Sequence, residues 1–340
     1  MSRNTTLADV ARLAGVSKTS ASLALNATPG ARLAPATVRR VLDAAASLGY
    51  RPDPVARGLR LGTTRTVSLV SDEVITTRYA SAMITGALDV AHATQHTLLL
   101  SEVHGDPARV TEALEATLDR RADGVVFAVM AARLVELPPL LRHVPVVLLN
   151  ATGTQGEPAV LPGEFEAGVA VADELLGSGH RAVALLGVPP DERLRAVHTA
   201  TVGTRLAGIR EAFARAGVEP VLTLEATDWE PDVGHALAQQ ALDGPRRITA
   251  LLCLNDRLAF GAYQAVQEAG LRIPDEVSVV SFDDDEVARY LRPGLTTAQI
   301  PYEEMGRRAM TLLLEGETPA APVLVPMPLH RRGSVAPPVR

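Results

Sequence analysis

The chain has 340 residues, 47% of them hydrophobic and only 3% aromatic, with a single cysteine and a net charge of −6. That length allows two or three domains, the lone Cys253 excludes an internal disulfide, and no apolar run approaches the ~20 residues of a membrane span. Charge is unevenly placed: residues 1–62 hold nine basic against three acidic side chains, a net of +6, which leaves −12 for the rest. A basic end on an acidic body suits contact of that end alone with a polyanion.

The first predicted element is a helix from Leu7, because Leu7, Val10, Ala11 and Leu13 recur at helical spacing. Thr6 is placed to cap it, with Asp9 three residues on completing a box-like pattern. Gly15 ends it, since a left-handed residue costs glycine least. Val16 plugs a turn, Ser17 caps a second helix, and Lys18, Thr19 and Ser20 form its first turn. In a helix-turn-helix of this kind the N-terminal residues of the second helix face base edges in the major groove. Thr6, Ser17, Lys18, Thr19, Ser20, Ser22, Leu23 and Asn26 are therefore candidate DNA contacts.

A third helix opens at Ala34-Pro35-Ala36-Thr37, with Pro35 where a missing N–H costs nothing. Its core stripe is expected to be Val38, Val41, Leu42, Ala45 and Leu48, and Gly49 ends it. The phrase YRPDPVARGLR follows at residues 50–60. Pro52 and Pro54 favour an extended entry. Val55 to Leu61 can then make two helical turns, weakened at Gly58 by roughly 1 kcal/mol relative to Ala.

After Thr63 short apolar runs alternate with helical stretches. Strands are expected at Val67–Val70, Thr97–Leu100, Gly124–Val129, Val146–Leu149, Ala182–Leu186, Val221–Leu224, Ile248–Leu254 and Val277–Phe282. Helices are expected near 80–94, 107–121, 165–178, 203–216, 232–242 and 257–269. This alternation argues for parallel sheets covered on both faces, in two units with a boundary near Gly163. Ligands of such sheets sit at strand C-termini. Asp72, Asn150, Asn255 and Asp283 fall there, while Asp256 is better placed to cap the following helix. Asn, Asp and Arg can grip hydroxyl groups, and Trp229, the only Trp, offers a face for C–H surface. Eight scattered histidines show no zinc spacing, and no phosphate loop, dinucleotide fingerprint or nucleophile elbow is present. No enzyme activity, cofactor or metal is expected.

Residues 6–60, together with LCLNDRLAFGAY (252–263) and SVVSFDDDEVARYLRPGLTT (278–297), resemble the lactose-repressor/galactose-repressor family of bacterial transcription regulators. The resemblance implies an all-α helix-turn-helix headpiece over 1–49, a hinge helix or linker over 50–62, and an α/β effector core over 63–340. That core would be two doubly wound parallel-sheet lobes like periplasmic binding proteins. The first lobe would take about 64–163 and 295–325, the second about 164–294 and 326–340. In the hinge, Leu59 matches a residue that wedges into the minor groove, and Arg57 and Arg60 are placed for phosphates. In the core, Arg205 in TRLAG and Asp283 in SFDDD match effector-gripping positions, as do Trp229 and Asn255, with Asp72 and Asn150 as further carry-overs.

Two departures stand out. Ala21 and Leu23 occupy positions where many relatives carry Val and Arg, and Leu cannot hydrogen-bond guanine as Arg can. LPGEFEAG (161–168) puts Pro162 and Gly163 where an acid is common, which puts one pocket contact in question. The implied protein is a cytoplasmic repressor with no signal segment. It would bind a pseudo-palindromic double-stranded operator as a homodimer, since no C-terminal leucine heptad is present. A small effector, expected to be a sugar, would control it, with a nucleobase or nucleoside as the alternative. A sugar-binding module without regulation is the remaining alternative, and the basic headpiece argues against it.

Overall fold

The computed structural model describes residues 5–26, 30–50, 63–75, 77, 79–141, 143–190 and 200–339. The chain divides into two compact units, Met1–Arg65 and Thr66–Arg340. The expected contacts Arg57, Leu59 and Arg60 lie outside the described residues.

Among the described residues the first unit holds three helices: α1 (Leu7–Ala14), α2 (Lys18–Leu25) and α3 (Pro35–Ser47). The cap of α1 forms as the residues require. Thr6 Oγ1 accepts from the Asp9 amide at 3.4 Å while Asp9 Oδ2 accepts from the Thr6 amide at 3.0 Å. Gly15 takes the left-handed conformation, φ 64°, that closes the helix. Val10, Ala11, Ala14, Ala21, Ala24, Val41, Ala44 and Ala45 make a small core of short side chains. Two residues expected in it are not there: Leu13 is 57% and Leu42 49% exposed. Each sits about 100° round its helix from the centre of the buried stripe, and Ala14 and Ala44 are buried in their place.

The second unit holds two six-stranded sheets. The first contains β1 (Thr66–Asp72), β2 (Thr97–Glu102), β3 (Gly124–Val135), β4 (Val146–Gly153), β5 (Ala159–Pro162) and β11 (Val323–Val325). Its order is β11-β5-β4-β3-β1-β2, and every pairing is parallel. Residues of β3 alternate between its faces. Val126 and Ala128 join one core with α4 (Ala80–Ala93) and α11 (Tyr302–Glu315); Val125, Phe127 and Val129 join the other with α5 (Pro107–Asp119). A sheet buried on both sides needs such continuous apolar runs.

The second sheet contains β6 (Val183–Val188), β7 (Leu222–Glu225), β8 (Ala250–Cys253), β9 (Ser278–Asp283), β10 (Thr296–Gln299) and β12 (Leu329–His330). Its order is β12-β10-β9-β8-β6-β7, parallel except where β12 pairs with β10. Helices α6 (Glu164–Gly177), α7 (Ala200–Arg215), α8 (Pro231–Leu242), α9 (Asp256–Glu268) and α10 (Glu286–Tyr290) belong to this lobe. Cys253 is buried in its core, as the apolar run ALLCL requires. The expected lobe boundary at 295 is corrected here. Thr296–Gln299 pairs in parallel with β9, so the chain returns to the first sheet only after residue 299. The physical reason is that Thr296, Thr297 and Ala298 are buried beside Val280 and Phe282, a place for a central strand.

Candidate effector cleft and DNA-reading helix

The strand C-termini of the two lobes surround a cavity of about 280 Å³. Met130, Ala132, Asn150 and Pro162 line it from the first lobe; Arg205, Trp229 and Asp283 line it from the second; Ile300 and Tyr302 come from the return crossover. This is where open α/β sheets place their ligands.

Arg205 is the centre of the site. It is buried on α7, and its guanidinium lies over the Phe282 ring, 4.4 Å from the ring centre. Nε and Nη2 donate to Glu164 at 2.7 and 2.8 Å, and Nη1 donates to the Leu254 carbonyl at 2.5 Å. Those bonds use three of the five N–H groups and leave one on each terminal nitrogen. Burial is the largest single influence and lowers the Arg205 pKa; attraction and hydrogen bonding to Glu164, with the Asp283 and Tyr302 charges, together outweigh it, and the net shift is upward.

Glu164 was missed as a site residue. The sequence showed only that LPGEFEAG lacks an acid at Pro162 and Gly163. The acid stands one residue further on, in the first turn of α6, where the helix N-terminus favours negative charge. Two glycines bring the pair together. A Cβ on Gly168 would stand 2.3 Å from the Arg205 carbonyl oxygen, and one on Gly208 would stand 2.0 Å from that of Phe165. Only glycine lets α6 and α7 approach this closely.

Asp283 ends β9 with φ 110°, an unusual backbone for a residue with a Cβ. Its carboxyl lines the cavity, with no hydrogen-bond or ion-pair partner among the described residues. Burial raises its pKa well above the usual carboxylate range, while Arg205 pulls the other way. Tyr302, a second residue the sequence gave no reason to select, lines the same wall. Its ring meets that of Tyr79 at 5.4 Å, and burial raises its phenol pKa. Trp229 presents its ring to the cavity and anchors its indole N–H on the Gly187 carbonyl at 2.7 Å.

Three expected residues act differently. Asn150 lines the cavity, but its amide donates to the Val129 and Met130 carbonyls at 3.1 and 2.8 Å, beside the register shift in β3. Only its oxygen is left for a ligand. Asp72 does not reach the cavity: its carboxylate pairs with Arg133 and accepts from the Gly105 amide. Asn255 does not line it either. Its side chain caps α9 by accepting from the Leu258 amide at 2.8 Å, and its amide donates to the Trp229 carbonyl at 3.4 Å. The cap is thus Asn255 and not Asp256. Asp256 is buried and bonds Ser281, Thr297 and the Asp285 amide, and burial raises its pKa to about 7.

In the first unit, Ser17 caps α2 by accepting from the Ser20 amide at 3.0 Å. Lys18 and Thr19 are exposed in the first turn. Ser20, Ser22 and Leu23 are half-buried, and Asn26 closes α2 by donating to the Ser22 carbonyl at 2.7 Å. Among the described residues no group of acidic, His and Cys side chains forms a metal cluster, and no helix is long and apolar enough to cross a membrane.

A model of the bacterial regulatory proteins of the lacI family matches residues 6–53, and one of a periplasmic binding protein-like domain matches 172–335. The HTH-type transcriptional repressor PurR of Erwinia tasmaniensis is 33% identical over 317 residues, covering 91% of this chain and 89% of that protein. This chain belongs to the lacI family. The PurR repressor of Vibrio atlanticus is 32% identical over 91% of both chains. Among solved structures, a lac repressor dimer bound to operator and the anti-inducer ONPF matches with TM-score 0.80 and 25% identity, covering 98% of this chain and 100% of that one. A LacI family transcriptional regulator from Enterococcus faecium with bound ribose matches with TM-score 0.63 and 25% identity, over 80% of this chain and 99% of that one. The chain is a DNA-binding transcription regulator, and the relatives named here are regulators, not enzymes.

Proposed function

We propose that this lacI-family protein is a cytoplasmic repressor that binds a pseudo-palindromic operator as a homodimer and changes its affinity when a small effector occupies the cleft. The observation that carries this reading is the cavity itself. It joins residues of both lobes around Arg205, Asp283 and Trp229, so an occupant would favour one lobe angle over another. A sugar is the first reading for the effector. Arg205 offers two N–H donors, Asn150 and Asp283 offer acceptors, and Trp229 offers an apolar ring face. A nucleobase or nucleoside is the second reading. Asp283 can accept from a ring or exocyclic N–H, and the PurR relatives are what favour this reading.

For DNA, Lys18 and Thr19 stand where a recognition helix meets the groove, with Ser17, Ser20, Ser22 and Asn26 beside them and Thr6 at the start of α1. Leu23, in place of a guanine-reading Arg, suits a thymine methyl, so the operator would differ at that base pair. Residues 50–62 would serve as the hinge, with Leu59 as wedge and Arg57 and Arg60 on phosphates.

The test is selection of bound DNA from a random pool, followed by operator titration with D-ribose and with adenine present in turn. Coupling must be reciprocal, so an effector that weakens operator binding is itself bound more weakly when operator is present. Equal effector affinities with and without operator would sink the allosteric reading.

A further inference from the structure

Asp285 stands at the N-cap position of α10, where an aspartate ordinarily turns its carboxylate back onto the helix amides. Here it makes no such cap bond. Its Oδ2 instead accepts from the Tyr79 hydroxyl at 3.1 Å, from 206 positions away in the first lobe. Asp285 belongs to the second lobe, so this bond joins the lobes through side chains and not through the crossovers. Each partner is held from behind. The Tyr79 ring lies 5.4 Å from that of Tyr302 on α11. The Asp285 amide donates to Asp256 Oδ2 at 2.7 Å, and Asp256 Oδ1 accepts from Thr297 Oγ1 at 2.7 Å and from Ser281, which ties the turn to β9 and β10. Asp284, one residue earlier, is paired with Arg289 at 3.0 Å and with Arg332 at 2.5 Å. The lobes are not packed against each other around this bond. Tyr79, Ala82, Asp285 and the crossover residues Gln299, Ile300 and Pro301 line a cavity of about 430 Å³.

We propose that Tyr79 and Asp285 form a clasp that holds the two lobes at the angle seen in this structure. Hinged lobes rest at the angle their mutual contacts favour. A hydroxyl donating to a carboxylate makes one of the stronger hydrogen bonds, and the bond is lost beyond about 3.6 Å, so a small opening breaks it. Asp285 is buried, and opening takes the Tyr79 hydroxyl away from it, which is costly for a buried carboxylate. Asp283, which lines the effector cavity, lies two residues from Asp285 on the same anchored turn, so an occupant that draws on Asp283 acts on the segment that carries the clasp. The clasp concerns the lobe angle alone and stands whether or not that angle governs operator binding.

The test is native-state hydrogen exchange of the full chain in buffer, read by mass spectrometry. Exchange follows the population of the opened form, so even rare parting of the lobes registers. The reporting amides lie on the crossovers: Ile300, bonded to the Asp283 carbonyl at 3.2 Å, and Gly163, bonded to the Val325 carbonyl at 2.8 Å. Tyr79→Phe keeps the ring beside Tyr302 and removes the hydroxyl. It is expected to speed exchange of both amides about tenfold, the scale of one hydrogen bond to a charged group, and to leave β1 and β8 unchanged. Asp285→Ala is expected to give the same pattern. Adding Tyr79→Phe to it should give no further increase, because the hydroxyl then has no carboxylate to meet. Unchanged exchange at Ile300 and Gly163 in Tyr79→Phe would overturn the proposal. So would an increase confined to Asp284 and Asp285, which marks a local effect on the turn, or an equal increase in β1 and β8, which marks general loosening. A double variant whose increase is the product of the two single ones would overturn it as well. If Asp285→Ala does not fold, the Tyr79→Phe pattern decides alone. The readout contains no DNA, so an absent link between cleft and operator would leave this result standing.

Discussion

The two surfaces proposed for recognition are built in opposite ways. Helix α2, proposed to read DNA, displays Lys18 and Thr19 in water, held in place by local caps three residues away. The cleft holds Arg205 and Glu164 out of water with Asp283 half-buried beside them, assembled from residues up to 119 positions apart. The difference teaches where binding and stability separate. On the helix a side chain can be changed with little effect on the fold. In the cleft, binding groups are also structural, because a buried charge without its partner is costly.

The largest expected effect breaks the cleft pair. Glu164→Ala leaves the Arg205 charge buried with a single carbonyl contact, and should cost about 3–5 kcal/mol in urea unfolding of the second unit. Loss of less than 1 kcal/mol, about the value of an exposed pair, would show that the pair is solvated. Next comes Gly208→Ala, whose new methyl group meets the Phe165 carbonyl at 2.0 Å and forces α6 from α7. About 1–3 kcal/mol is expected, with effector affinity falling alongside as Arg205 moves. On the helix side Ser17→Ala removes the cap of α2 and should cost about 1 kcal/mol in the first unit alone. Lys18→Ala sharpens the contrast: stability should stay within about 0.5 kcal/mol while operator affinity falls and the salt slope drops by about one.

A smaller, pH-dependent effect belongs to the second lobe. His180 is buried and bonds Thr249, Ser278 and the Ala336 carbonyl at 2.9–3.0 Å. Burial lowers its pKa, with the Ala336 carbonyl pulling the other way. The unfolded chain therefore takes up this proton first as pH falls. The stability tied to neutral His180 is complete above its unfolded value, about 6.5, and declines below it. The thermal midpoint between pH 7.5 and 5 should fall less steeply in His180→Asn.

The same comparison explains what was legible in the sequence. Thr6, Asp9, Gly15 and Ser17 act on neighbours within four residues, so their roles follow from spacing alone, and the structure shows the cap bonds. The strand–helix alternation was equally local. Leu13 and Leu42 were misplaced because one helical face is wider than the stripe that a three-helix core buries. In the cleft, Arg205, Asp283 and Trp229, selected from motif, strand-end position and resemblance, all line the cavity. Asp72 was not separable from them, since its partner Arg133 follows a register shift that no periodicity announces. Glu164 and Tyr302 were missed for the same reason: each reaches the cavity through a helix or crossover whose placement depends on tertiary packing. Residues 296–299 fell to the first lobe by resemblance alone; no strand was expected there, because a four-residue run gives no periodicity, and its place beside β9 depends on tertiary packing.

The most direct measurement of the central claim is operator affinity of the full chain, using DNA selected from a random pool. It is taken with and without a small-molecule extract of the source cells, for wild type and for Asp283→Asn. The account predicts that the extract shifts wild-type affinity by tenfold or more, about the scale of ordinary allosteric coupling. It also predicts that Asp283→Asn binds operator normally in buffer and loses most of that shift. An equal shift in both proteins, or none in wild type, would contradict control of DNA binding through this cleft.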